Sequence, residues 1–239
     1  MALDIKKIIQ YPLKSGQFFE EEHSKSQLYL HHTASGPSGL TVVQGWNMNL
    51  DKIGTAFVIC GTPKAGETKY KDGDIIQCFS SKYWNYHLGI KTEIFKKYGL
   101  PYLPLDKISV GIEICAWGQL TKQPNGTFKN YVGGIVPNEE VVDFGKEFRG
   151  FQFYQKYSEA QILSVKNLLI YLCDKYKISK KYNEGMWDIN QACLNGANGI
   201  WSHTSTRIDK YDIFPQPSMI EMLKSLDNKL EIPINSVSA

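Results

Sequence analysis

The sequence predicts an α/β fold, because two periodicities alternate along it. Short runs in which apolar and other residues alternate, bounded by Gly, Pro, Asn and Asp, read as strands. A run with apolar residues at helical spacing, Ile162, Val165, Leu169, Leu172 and Tyr176, reads as an amphipathic helix. Strands interspersed with helices give a mixed α/β domain. The chain has 239 residues, which makes one domain or at most two. Hydrophobic residues are 42% of it and aromatic residues 13%, enough apolar surface to offset the entropy of ordering. That composition excludes a disordered chain, collagen and a coiled coil. A net charge of +3 is too weak to point to nucleic acid.

Residues 1–25 are mostly polar, with Glu20, Glu21 and Glu22 before His23, and read as a leader wrapped on the domain. Residues 26–33 (SQLYLHHT) form the first strand, and 34–39 (ASGPSG) a turn. A short helix is expected over 41–49. Residues 54–60 (GTAFVIC) and 75–79 (IIQCF) follow as a second and a third strand, joined by a turn-rich stretch as in an antiparallel pair. Residues 108–115 (ISVGIEIC) are the fourth strand. Residues 116–157 read as a Gly- and aromatic-rich insertion with a turn at Asn125-Gly126. Its Trp117, Tyr131, Phe148, Phe151, Phe153 and Tyr154 are expected mainly in the core. Ser158 and Gln161 have the spacing of a capping box at the start of the long helix. Residues 178–202 read as irregular, 218–228 as a short final helix, and 216–239 as a tail too short for a further domain.

Five cysteines (Cys60, Cys78, Cys115, Cys173 and Cys193) are odd in number and far apart, so they are expected as reduced thiols, with Cys115 a packing residue. The first residues contain no apolar stretch of signal-peptide length, and no run is long enough to span a membrane. The expectation is a chain made in a cytoplasm.

Four places hold residues with chemical potential. His31 and His32 end the first strand and point to opposite faces, so one of them at most serves a given site. Glu113 shares its strand face with Ser109, Gly111 and Cys115, opposite Val110, Ile112 and Ile114. It either faces solvent or sits in a cleft, where partial desolvation raises its pKa toward use as a base. His203 precedes Lys210 and Asp212, joining two good zinc ligand types to a cation able to stabilise an oxyanion. Trp84, Tyr86 and His87 follow the third strand and suit either packing or a sugar-binding groove.

Taken in order, LYLHHTASG, GTAFVICG, NYHLG, SVGIEICAWG, YSEAQILSVKNLL and WSHTSTRIDKYDIFP resemble the zinc-dependent N-acetylmuramoyl-L-alanine amidases. These belong to the type 2 amidase and peptidoglycan-recognition-protein superfamily, and the phage endolysin members are the most similar. The resemblance spans residues 26–215. It implies a single mixed central β-sheet flanked by helices, and a catalytic domain over the same residues. It implies Zn²⁺ held by His31, His203 and Asp212, with Asp209 as the alternative third ligand if the closing loop is built differently. Glu113 takes the position of the catalytic acid/base and Lys210 that of the lysine that stabilises the tetrahedral intermediate. His87, Trp84, Tyr86 and Thr55 fall on substrate-side positions; Thr55 stands where many members have a tyrosine. The implied activity is hydrolysis of the amide between N-acetylmuramic acid and L-alanine in peptidoglycan. The implied actor is a monomeric lysin that reaches the wall after release. A non-catalytic peptidoglycan-binding module of the same fold is the alternative.

Overall fold

The computed structural model describes residues 3–48 and 51–227. In chain order the elements are β1 (Ile9–Gln10), β2 (Gln27–His32), α1 (Gly39–Trp46), β3 (Phe57–Ile59), β4 (Ile75–Gln77), α2 (Thr92–Lys97) and β5 (Ser109–Ile114). Then come β6 (Gln119–Lys122), β7 (Phe128–Lys129), β8 (Ile135–Val136), β9 (Val141–Phe148) and β10 (Phe151–Gln155). The chain continues with α3 (Glu159–Tyr176), α4 (Gln191–Leu194), β11 (Gly199–Ser202) and α5 (Pro217–Lys224).

A six-stranded mixed sheet in the order β1-β4-β3-β5-β2-β11 forms the centre. Within it β3 and β4 are antiparallel, as the turn-rich connection predicts, while β3, β5, β2 and β11 run parallel. All six residues of β2 are buried. Such a strand needs cover on both faces, the pattern of parallel sheets. The long helix α3 covers one face with Ile162, Val165, Leu168, Leu169 and Leu172, all buried. Its capping box forms as the sequence predicts, with Ser158 and Gln161 satisfying each other's amide groups. The first turn of α1 lies on the other face. A Cβ on Gly39 would come within 2.8 Å of Ile76 and 3.0 Å of Val58, so only glycine lets the helix approach so closely.

Three features depart from the sequence reading. The segment read as a leader supplies the edge strand β1, parallel to β4, and buries Ile8 and Leu13. Part of 178–202, read as irregular, is β11, which pairs along β2 from Gly199↔Gln27 to Ser202↔Leu30. The insertion 116–157 builds a second, five-stranded antiparallel sheet, β8-β7-β6-β10-β9, with a small core of Leu120, Phe128 and Val136. Its strands β7 and β8 have two residues each, too short to leave a periodic trace. The turn at Asn125-Gly126 is present: Gly126 adopts φ +84° and donates to Gln123. Of the six aromatics expected mainly in the core, Tyr154 is fully buried, Tyr131 is exposed, and Trp117, Phe148, Phe151 and Phe153 are partly buried. The expected final helix starts at Pro217, a residue suited to a first helical turn; whatever follows residue 227 lies outside the described residues. All five cysteines are buried with free thiols, Cys115 among them.

Candidate active site

Parallel strands present their carboxyl ends together, and ligands of α/β sheets gather there. His31 is the penultimate residue of β2, Glu113 the penultimate residue of β5, and His203 follows β11 directly. In register His31 pairs with Glu113, and Glu113 with Val58, so these three side chains share one face. His32 points the other way, into the α3 side, where its Nδ1 meets the Tyr157 hydroxyl at 3.0 Å.

The closing segment brings Asp212 under the two imidazoles. His31 Nδ1 and His203 Nδ1 are 3.1 Å apart, and Asp212 Oδ2 lies 3.2 Å from the first and 2.9 Å from the second. All three residues are buried. Ligands of a tetrahedral zinc ion, bound at roughly 2.0–2.2 Å, stand about 3.3 Å apart, so the triangle has the right size. The chemistry of the donors agrees. His203 Nε2 is 2.9 Å from the Leu88 carbonyl oxygen, which only accepts, so the proton sits on Nε2 and Nδ1 presents a lone pair. A lone pair beside a carboxylate oxygen is repulsive until a cation lies between them. Burial, then the neighbouring His203 charge, push His31 down to about 4, so its ring is neutral, as a metal ligand must be, over the physiological range. Burial alone would raise Asp212, but the two neighbouring imidazoles, His203 before His31, pull its carboxyl well below the usual carboxylate range. Asp209, the alternative third ligand, is turned away and pairs with Arg207 at 2.6 Å.

Glu113 sits beside this triangle. It is half-buried, and its Oε2 is enclosed without a hydrogen-bond partner among the described residues. Burial, reinforced by the Asp212 charge, holds its carboxyl well above the ordinary range, with Lys210 pulling the other way. Of the two settings open to it from sequence, full exposure to solvent is not the one seen, since Oε2 is enclosed. Lys210 is half-buried and near enough for its charge to act on both Glu113 and His31.

The family model for N-acetylmuramoyl-L-alanine amidases matches residues 22–213. The chain belongs to that family. It is thus a peptidoglycan amidase, with the α/β fold and the mixed central sheet expected of one. No curated protein sequence matches it. Among solved structures its fold is similar to that of PlyL, with a TM-score of 0.52 and 12% identity over 92% of this chain and 99% of that one. A mutant endolysin from Bacillus subtilis has a TM-score of 0.48 and 14% identity, over 95% of this chain and 99% of that one. The amidase LysC from Clostridium intestinale URNW has a TM-score of 0.43 and 13% identity, over 92% and 95%. At these identities the likeness concerns the fold alone.

The four residues that the resemblance set on the substrate side differ in their surroundings. The Trp84 ring is buried, stacked on Phe19 with centroids 3.8 Å apart, and its Nε1 donates to Glu21. Phe19 comes from the amino-terminal segment, 65 positions away from Trp84, so no local spacing points to the stack. Thr55 is buried and spends its hydroxyl on the Phe57 carbonyl. Tyr86 is exposed, edge-on to Trp84 and Phe19. The His87 side chain is only 4% exposed and lies against His31, with its Nδ1 3.0 Å from His31 Nε2. It thus packs directly behind a candidate ligand. Sequence reasoning missed two residues that make this possible. Ser109 meets His87 Nε2 at 2.9 Å, and Gly111 leaves room for the ring, since a Cβ there would stand 3.0 Å from His87 Nδ1 and 2.7 Å from Thr55. Both lie on the Glu113 face at every second position, a signal the strand alternation carried.

Beyond β2 a groove of about 700 Å³ runs between α1 and the second sheet. Thr33, Val42, Trp46, Trp117 and Ile135 line it. Thr33 is two residues past His31, so the groove leads away from the site. Among the described residues no helix is long and apolar enough to cross a membrane.

Proposed function

We propose that this amidase is a zinc enzyme that cuts the amide between N-acetylmuramic acid and L-alanine, and that it serves as a lysin of the bacterial wall. One observation supports the reading above all. Three buried donor atoms converge within 3.2 Å of one another beside a carboxylate oxygen that has no partner among the described residues. His31, His203 and Asp212 would hold the ion. A zinc ion in that position supplies a water of pKa near about 7 and a Lewis acid for the scissile carbonyl.

The protein groups do the rest. Glu113 takes a proton from the attacking water and returns it to the departing alanine nitrogen, which makes the amine a competent leaving group. Its raised pKa suits both halves of that task. Lys210 offers its ammonium to the carbonyl oxygen as negative charge develops there. The groove beside Thr33 takes the substrate on one side, and the second sheet, through Trp117 and Ile135, sets which stem peptide fits.

The test is product analysis on purified muropeptides. The expected products are an intact glycan and a free peptide with L-alanine at its amino end. Activity is lost on treatment with a chelator and returns with Zn²⁺. Cleavage between sugars or between peptide residues would overturn the assignment of the bond, and full activity of metal-free protein would overturn the zinc. Muropeptide binding without release would leave a binding module.

A further inference from the structure

Both candidate imidazole ligands hand their outer nitrogen to one dipeptide. His203 Nε2 meets the carbonyl oxygen of Leu88 at 2.9 Å, and His31 Nε2 meets the ring nitrogen Nδ1 of His87 at 3.0 Å. The placement of His87–Leu88 therefore fixes the aim of both rings. That dipeptide lies in a loop between β4 and α2, so something other than secondary structure must hold it.

Asp106 does so. A single carboxylate oxygen, Oδ1, accepts the backbone N–H of His87 at 2.9 Å and that of Leu88 at 3.0 Å. The residue before it completes the arrangement. Leu105 O and Ser109 Oγ are 2.6 Å apart; two oxygens so close need a proton between them, and only the serine has one. Ser109 Oγ must then accept from His87 Nε2, 2.9 Å away. With its proton on Nε2, neutral His87 has a bare Nδ1, which can only accept from His31. The proton of His31 is thus on Nε2 and its lone pair on Nδ1, the atom that faces Asp212 and His203. The chain of donors runs from His31 through His87 and Ser109 to the Leu105 carbonyl.

We propose that Asp106 is a positioning residue for the metal centre: by clamping the His87–Leu88 backbone it fixes the tautomer and the aim of His31 and His203. The inference rests on the zinc reading for its function but not for its geometry. Outer partners of this kind typically change metal affinity by about 10–100-fold.

The test uses the full chain. Zinc affinity is measured by competition with a chelator, and ring-nitrogen NMR of metal-free protein reports the histidine tautomers. The wild type is expected to show His31, His87 and His203 with the proton on Nε2. Asp106→Ala is expected to lose about 10–100-fold in zinc affinity and to mix the tautomers of His31 and His203. Asp106→Asn keeps an oxygen that accepts both N–H groups and is expected to restore both readouts. Should the alanine variant not fold, Ser109→Ala removes only the acceptor of His87 and is expected to mix the His87 and His31 tautomers. Wild-type affinity and tautomers in Asp106→Ala, or an Nδ1-protonated His31 in the wild type, would overturn the proposal. A wild type that binds no zinc would sink the functional reading, while the metal-free spectra still decide the clamp.

Discussion

The two ends of β2 handle buried polarity in opposite ways. At the amino end Gln27 is fully buried, and its amide donates to the carbonyls of Cys193 and Ala197 while its oxygen accepts from Tyr29. Nearby Lys25 is buried and gives its ammonium to the Lys107 carbonyl. Apart from the Tyr29–Gln27 bond within β2, these contacts join one stretch of chain to another. At the carboxyl end the acceptors outnumber the hydrogens available to them. Glu113 keeps an enclosed oxygen with none, and three acceptors crowd within 3.2 Å. Buried polar groups that are satisfied hold a fold together; those left wanting mark where something else is to bind or react.

The strongest way to break this contrast is Glu113→Gln, which keeps shape and removes proton transfer. Turnover of muropeptides is expected to fall by about 10²–10⁴-fold. The melting temperature is expected to rise, because a carboxyl held well above its ordinary range is poorly accommodated as an anion at neutral pH. A variant that is inactive and less stable would place Glu113 with the structural residues. At the other end Gln27→Leu takes one partner each from two carbonyls and a hydroxyl and buries an apolar group among them. It is expected to cost about 2–4 kcal/mol in denaturant unfolding, with the turnover of the folded fraction unchanged.

Gly111→Ala sharpens the contrast from the active side. The new Cβ meets Thr55 at 2.7 Å and His87 at 3.0 Å. Overpacking of this kind costs about 1–3 kcal/mol, and displacement of His87 is expected to lower zinc affinity as well, a loss Gln27→Leu does not share. The smallest effect is expected at Lys25. Burial lowers its pKa to about 8, against an unperturbed value of about 10.4. Between these values the unfolded chain holds a proton that the folded chain has released, so stability rises with pH through that window. Lys25→Met removes the pH dependence and is expected to stabilise the chain at pH 7 by about 1–2 kcal/mol, after the lost hydrogen bond is offset. Unfolding curves at several pH values check it, and a flat wild-type profile would contradict it.

Much of the site was legible because strand alternation is a strict rule. It separated His31 from His32 and put Ser109 and Gly111 on the face of Glu113 before any coordinates. The identity of the convergent set came from the order of segments that resemble the amidases, since no spacing relates His31 to a residue 172 positions away. What stayed hidden has physical reasons. β11 has four residues, beginning with glycine, and is recognisable only through its pairing with β2. The second sheet is built from strands of two to eight residues and keeps its own small core. The supports of the histidines are a backbone carbonyl at Leu88 and a carboxylate at Asp106, and neither leaves a side-chain pattern to read.

The pairing of β11 with β2 has a consequence for the timing of synthesis. His31 is made well before its counterpart at position 203, which follows β11, the last strand among the described residues, and Asp212 comes later still. A nascent or truncated chain can build most of the sheet and still lack two of the three groups. The triangle is therefore completed only when the far edge of the sheet docks on β2.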